Sequence, residues 1–383
     1  MNNGTAPKPS ARDLRFDTLR GLFLVCMTIN HLPTQIRKVT DQSIGVFSAA
    51  EGFVFLSGLL AGWVYTRKLR ERGARGLWSA VLVRATVIYR WHIASFIGAF
   101  ISVLVIEHAT GFCSTNVPRL FFQHPAQALG LGLTLLYQPG LLDLLPMYCV
   151  FVAFLPLVIH GLESGRGWLV LSLSAALWLF IQWAPPVDGA PLYPVNTGSF
   201  NLLAWQFIFI AGVAVGHARL SGRPQVVRPN PWVVIAASAI AVYAFGLRQL
   251  GWPPLWTDRV YGLLLNKPAL GLLRMGDFAA VAYLVAILGQ RHPKLLSIRP
   301  LEFLGRHSLV VVATQSVAIM TVLQIPALTS TEFDRTLVAL SMVAIIFAAA
   351  GIEQAIKARR RADSSSAQNP VSPPGGRRLS STA

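Results

Sequence analysis

Charge is scarce in this chain. Of its 383 residues only 13% are Asp, Glu, Lys or Arg while 54% are hydrophobic, and the mean hydropathy is +0.53. That balance excludes an ordinary soluble globular domain. Acidic residues are the scarcest charged class, 16 against 33 Lys and Arg. Cysteine is almost missing: Cys26, Cys113 and Cys149 supply neither a disulfide framework nor a ligand cluster, so no metal is assigned. There is no fixed-period repeat and no matching pair of interrupted hydrophobic segments in the two halves. Both absences weigh against a secondary transporter.

What the sequence has in quantity is apolar stretches of membrane-spanning length. A hydrocarbon core of about 30 Å requires roughly 20 apolar residues per helix. Ten segments meet that need: 19–36, 46–66, 79–106, 141–161, 167–184, 200–218, 231–250, 270–289, 303–324 and 335–357. The fold class is therefore an all-α polytopic membrane protein with about ten transmembrane helices. Residues 1–14 are polar and the run from Leu19 has no small-residue cleavage site, so the first segment reads as a retained span rather than a leader. The chain divides into an N-terminal segment 1–18, a transmembrane domain 19–357 and a Ser-, Pro- and Arg-rich tail 358–383 that reads as disordered. The stretch "PAQALGLGLTLLYQP", 125–139, is too short to cross and reads as interfacial or re-entrant.

The basic surplus follows alternate loops. Arg67, Lys68, Arg70, Arg72 and Arg75 occupy one, Arg166 the next, Arg219, Arg223 and Arg228 a third, and Arg291, Lys294 and Arg299 a fourth. The positive-inside rule places those loops, and with them both termini, in the cytoplasm. Arg37, Lys38, Arg248, Arg259 and Lys267 on the other side keep the contrast incomplete. Such a distribution argues for membrane lipids as partners, the basic tail anchoring to anionic headgroups, and against nucleic acid. Oligomeric state is not readable from it.

Several ionisable residues stand inside the apolar segments. By helical rise His31 lies roughly 18 Å into the first segment and Glu51 about 7 or 8 Å below the opposite surface, so the two share a depth. His92, in "YRWHIASF", reaches a similar level. Such groups face a protein interior or a wet cavity. The plainer reading is a helix-packing hydrogen bond for either histidine; Glu51, without the reach to snorkel, resists it. Gly58 and Gly62 form a small-residue face suited to close packing, with Ser57 beside it.

Arg20 and His31 are separated by ten residues, about 16 Å along a helix. Arg20 either snorkels to the boundary or holds a phosphate there, the interval being comparable to the extended pantetheine arm of coenzyme A. Arg84 and Arg90 would join it in a basic funnel or else pair locally. Neutral imidazole suits the removal of a hydroxyl proton, and a carboxylate such as Glu51 would orient it and stabilise its charged form.

This R-x10-H element is similar to that of the membrane-bound acyltransferase superfamily. "RFDTLRGLFLVCMTINHLPT", "SAAEGFVFLSGLLAGWVY", "LLDLLPMYCVF", "FNLLAWQFIFIAGVAVG", "NKPALGLLRMGDFAA" and "LGRHSLVVV", six fragments in order between Arg12 and Ser316, resemble the OpgC family. That resemblance implies a bacterial inner-membrane enzyme of about ten helices that moves succinyl from cytoplasmic succinyl-CoA to hydroxyls of periplasmic glucans. It implies no permanently bound cofactor, acyl-CoA and glucan as partners, and roles for Arg20, His31 and Glu51 at the family's arginine, histidine and carboxylate. Acceptor or acyl contacts are then expected from His92 and Asp143, from Trp205 and Gln206 through stacking and hydrogen bonding, and from Arg274, which either holds a succinyl carboxylate or pairs with an acid such as Asp277. His307 is too shallow to join His31. A glycan or small-anion transporter, or an acyltransferase of other specificity, is the alternative.

Overall fold

The computed structural model describes residues 13–111, 120–183, 198–220, 229–252 and 257–368. Cys113, Arg223, Arg228, most of the N-terminal segment and the tail beyond residue 368 lie outside the described residues. Fourteen α-helices succeed one another there, without a β-strand. They are α1 Leu14–Asn30, α2 Arg37–Thr40, α3 Ala49–Thr110, α4 Leu120–Gln123, α5 Pro125–Leu133, α6 Leu144–Glu163 and α7 Gly167–Trp183, followed by α8 Leu202–Leu220, α9 Pro231–Gln249, α10 Asp258–Leu265, α11 Leu272–Arg291, α12 Arg299–Arg306, α13 Ser308–Val322 and α14 Glu332–Gln368.

Six of these helices are long and apolar enough to cross a membrane, and α12 with α13, bent by 85° at their junction, makes a seventh if the pair is one span. The described residues thus form the all-helical architecture of a polytopic membrane protein. Within α3 lies a break at Gly73, whose φ of 66° and ψ of −173° leave the helical region. A straight helix of its 62 residues would run about 93 Å, three hydrocarbon cores end to end. Glycine has no Cβ to oppose the positive φ, so the chain turns there.

Local sequence sets the ends of α1. The Asp13 carboxylate accepts from the Arg15 amide at 3.2 Å and caps the helix. Arg15 in turn donates to the Gly289 carbonyl at 2.6 Å. The helix therefore begins five residues ahead of the apolar run at Leu19. It stops at Asn30, ahead of Pro33, rather than continuing to residue 36. His31 is consequently the C-cap and not an interior residue of a span. Thr40 at the end of α2 bonds Asn30 in both directions, its hydroxyl to Oδ1 at 2.5 Å and its carbonyl from Nδ2 at 3.2 Å, which folds 32–40 back onto α1.

Small residues bring the helices together. A Cβ on Gly58 or Gly62 of α3 would run into the Phe209 or Val213 carbonyl of α8. A Cβ on Gly212 or Gly216 of α8 would meet the Phe55 or Leu59 carbonyl of α3. The small-residue face expected on α3 is present and is answered by a second one at the same spacing. Gly21 of α1 and Gly305 of α12 make a similar approach through the Leu301 and Asp17 carbonyls. The short stretch from 125 forms α5, nine residues laid against α3, where Gly132 sits on the Phe96 ring and Tyr89 donates to the Leu133 carbonyl at 2.8 Å.

Charged side chains gather where α1 begins. Asp13 bonds Arg15 at 2.7 Å and Arg219 of α8 at 3.0 Å. Arg70 pairs with Glu163 at 2.5 Å and Arg306 with Glu302 at 3.4 Å. Burial pushes the Asp13 carboxyl up, but the hydrogen bonds from the two arginines outweigh it and hold the group below the ordinary aspartate range.

Candidate functional site

Two cavities lie at the two ends of α1. The first, about 320 Å³, is lined by Arg20, Phe53, Ser57, Arg84, Tyr148 and Ser308 among others. The second, about 670 Å³, is lined by His31, Arg37, Asp41, Asp143, Lys267 and Gln315 among others. Their walls touch. Val312 of α13 lines both, and the neighbouring residues Leu144 and Leu145 of α6 line the second and the first respectively. The helix α1 therefore carries Arg20 into one chamber and its C-cap His31 into the other, and the residue common to both walls, Val312, is apolar.

In the first chamber the Arg20 guanidinium donates to the Ser308 hydroxyl and lies 5.5 Å from the centre of the Phe53 ring. The 85° bend between α12 and α13 presents Ser308 at this point, as the first residue of α13. Arg84 is exposed and contributes to the lining. Arg90 is exposed as well, but it does not line this cavity. Ser57 and Tyr148 line it together.

In the second chamber the His31 side chain is open to the cavity and makes no hydrogen bond to another described residue. Asp143 stands in the same lining, 4% exposed, and accepts from the Ser199 amide at 2.9 Å. Asp41 pairs with Arg37 and Arg248, both at 3.5 Å. Gln315 is held by the Thr28 hydroxyl at 2.8 Å, which in turn bonds the Leu24 carbonyl at 2.9 Å.

The expected hydrogen bond from Glu51 to His31 is not there. Glu51 is the N3 residue of α3 and turns back to its own N-cap: Oε2 accepts from the Ser48 amide at 3.0 Å and its hydroxyl at 2.6 Å. Oε1 accepts from Arg274 through Nε at 2.9 Å and through Nη2. Both side chains of this ion pair are almost wholly buried, and a buried charge takes the nearest opposite charge. The S-x-x-E pattern "SAAE" before an apolar run is the sequence signal for this cap. Arg274 is accordingly occupied by Glu51, not by Asp277 and not by open cavity. Three residues further along α11, Asp277 accepts from the Val46 and Phe47 amides at 2.7 and 3.3 Å. These contacts fasten the entry of α3, whose residues Ser48, Ala49 and Ala50 do line the His31 chamber.

Three other expectations move away from the cavities. His92 is fully buried, bonds the Gly132 carbonyl at 3.1 Å and packs between Tyr89 and Phe96 under α5. Trp205 is fully buried rather than presented to a sugar, and its indole donates to the Lys267 and Pro268 carbonyls at 3.2 and 3.1 Å. Gln206 is spent on α7, accepting from the Ser174 hydroxyl at 2.6 Å and donating to the Ser174 carbonyl at 2.8 Å. As anticipated, His307 does not join His31; it bonds Glu353 at 2.6 Å. Arg37, Asp41, Lys267, Ser308 and Gln315 line the chambers without any mark in the sequence of a site role, because depth along a helix says nothing about which way a side chain faces.

Comparison with known proteins adds one finding. No curated protein and no solved structure matches the chain. A family profile described as OpgC protein matches residues 12–358, a span that takes in both chambers and every helix that builds them. The match supports an OpgC-like acyltransferase, and the chain belongs to the OpgC family.

Proposed function

We propose that the protein is a transmembrane O-acyltransferase that takes succinyl from succinyl-CoA on the cytoplasmic side and delivers it to hydroxyl groups of a periplasmic glucan at the bacterial inner membrane. The observation that carries the reading is the pair of cavities that meet at Val312, with Arg20 in one and His31 in the other. The Arg20 chamber is the donor side. Arg20 and Arg84 meet the coenzyme's phosphates, since a guanidinium binds phosphate through paired N–H donors. The pantetheine arm follows Phe53 and Val312 toward the second chamber.

There the neutral His31 imidazole accepts the proton of a glucan hydroxyl as the oxygen attacks the thioester carbonyl. The new C–O bond forms, the C–S bond breaks, and the proton passes to the departing thiolate to give free coenzyme A. Asp143 and Gln315 offer hydrogen bonds to other sugar hydroxyls. Glu51 and Arg274 are positioning residues in this scheme, holding the α3 entry that walls the chamber.

Ten spans with both termini in the cytoplasm accompany the proposal. The break at Gly73 allows α3 to cross twice, α12 and α13 to share one span, and α1 and α7 to complete the set, an even number. The basic residues gathered at the Asp13 end of α1 support a cytoplasmic assignment for that end. Mass spectrometry of the periplasmic glucans tests the substrate assignment. Deleting the gene is expected to remove succinyl esters and complementation to restore them. Unchanged ester content, or loss of a different acyl group, overturns the assignment.

A further inference from the structure

The turn that leads into α11 is held with unusual thoroughness for a connection. Its sequence is "NKPAL", residues 266–270. The Lys267 and Pro268 carbonyls both accept from the buried Trp205 indole, and the Pro268 carbonyl also accepts from the Asn201 amide at 3.1 Å. The Ala269 carbonyl accepts from Gln182 at 2.7 Å and the Leu270 carbonyl from the Trp178 indole at 2.8 Å. The Asn266 side chain takes the Ala269 amide at 2.9 Å. Leu270 sits at a φ of 54°, a left-handed conformation that a leucine adopts only when its surroundings dictate it.

Two tryptophans and a glutamine from α7 and α8 thus fix four consecutive carbonyls. From this turn Lys267 and Pro268 reach the His31 chamber. Lys267 makes no ion pair with another described residue, whereas Arg37 in the same lining is matched by Asp41. It shares that lining with His31 and Asp143. A rigid backbone that delivers one cation to a reaction chamber is the arrangement expected of an anion-recognition residue.

We infer that Lys267 selects a dicarboxylic acyl group by binding its free carboxylate while the thioester carbonyl lies at His31. This rests on the acyltransferase reading and deepens it. The role expected of Arg274 passes to Lys267, because Arg274 is already neutralised by Glu51. Trp205 is a positioning residue that acts through the Lys267 backbone. An anionic substituent on the acceptor glucan would present the same chemistry to Lys267, and the assay separates the two sources.

The full-length protein is reconstituted with succinyl-CoA or butyryl-CoA, which have the same number of acyl carbons, and with either a neutral glucan or one bearing anionic substituents. The quantity read is the ratio of kcat/KM for the two donors. Lys267→Ala is expected to lower the succinyl-to-butyryl ratio by about 10-fold to 100-fold, the range lost with a charge-assisted hydrogen bond. Lys267→Arg should restore part of it, and Trp205→Phe, which keeps the ring and deletes the donor, should lower the ratio by a smaller factor. An unchanged ratio in Lys267→Ala overturns the inference. So does a loss confined to glucan bearing negative substituents, which would assign Lys267 to the acceptor. If the unaltered protein transfers neither acyl group, the acyltransferase reading fails instead, and the two failures are distinct.

Discussion

Replacing Arg274 by methionine, or Glu51 by glutamine, strips one charge from a pair whose side chains are 3% and 0% exposed. The two substitutions differ in an instructive way. Glutamine at position 51 still reaches back to the Ser48 amide, so the capping box survives and the loss is electrostatic. It leaves the Arg274 guanidinium buried without its carboxylate. Methionine at 274 leaves Glu51 with the two Ser48 contacts and no cation. Breaking a buried pair from one side costs about 3–5 kcal/mol, whereas removing both charges is close to neutral. The double variant Glu51→Gln with Arg274→Met should therefore be more stable than either single one, with a coupling of about 2 kcal/mol or more. Reversible unfolding in mixed micelles, followed by tryptophan fluorescence, measures all four proteins. Strict additivity of the two losses would refute the claim that the carboxylate's buried partner is Arg274.

Four further outcomes follow from the same geometry. His31→Ala should insert and fold normally, since the ring holds no other described residue, and should lose turnover by about 10² to 10⁴ fold in a reconstituted assay; near-normal turnover would remove His31 as the base. Arg20→Ala should raise the KM for acyl-CoA more than it lowers kcat, with partial rescue by Arg20→Lys; a pure loss of kcat at unchanged KM would place the arginine at the reacting atoms. Gly212→Leu should abolish the close approach of α3 and α8 and reduce the yield of folded protein, while the same change at Gly351, with open space around it, should not. Asp13→Asn keeps the helix cap but removes the charge bonded by Arg15 and Arg219. Because the native carboxyl sits below its unfolded value, the stability lost in this variant should be fully visible above about pH 4 and fade as the pH falls through the native value, as read from thermal melting across that range.

Hydropathy in the sequence was enough to locate most of the long helices, and the Gly58 and Gly62 face was legible because small residues four apart have one common use in membranes. Rotation about each helix axis was not legible. His31 and Glu51 were placed at one depth, yet the capping box turns Glu51 to Ser48 and Arg274 while His31 opens onto a cavity. Trp205 and Gln206 lie where a sugar site was expected, but α8 aims them at the turn 266–270 and at α7. Helical length alone carries the first segment to residue 36, but the sequence after Asn30, His-Leu-Pro-Thr-Gln-Ile, is no longer an apolar run, and Pro33 argues for the stop that α1 makes. In the sequence Lys267 is only one more basic residue on the outer side, since its place in the chamber comes from four carbonyl contacts made by residues 62 or more positions away.

Passage of an acyl group between the Arg20 and His31 chambers to an acceptor on the opposite side can be followed in sealed vesicles of defined orientation. Succinyl-CoA labelled in the acyl group is enclosed on the Arg20 side, and neutral glucan is supplied on the His31 side only. Label is expected to become covalently attached to the external glucan, dependent on both Arg20 and His31, with unlabelled coenzyme A retained inside. Labelled product that forms only when donor and glucan share one side, or glucan that crosses the bilayer unmodified, would contradict it.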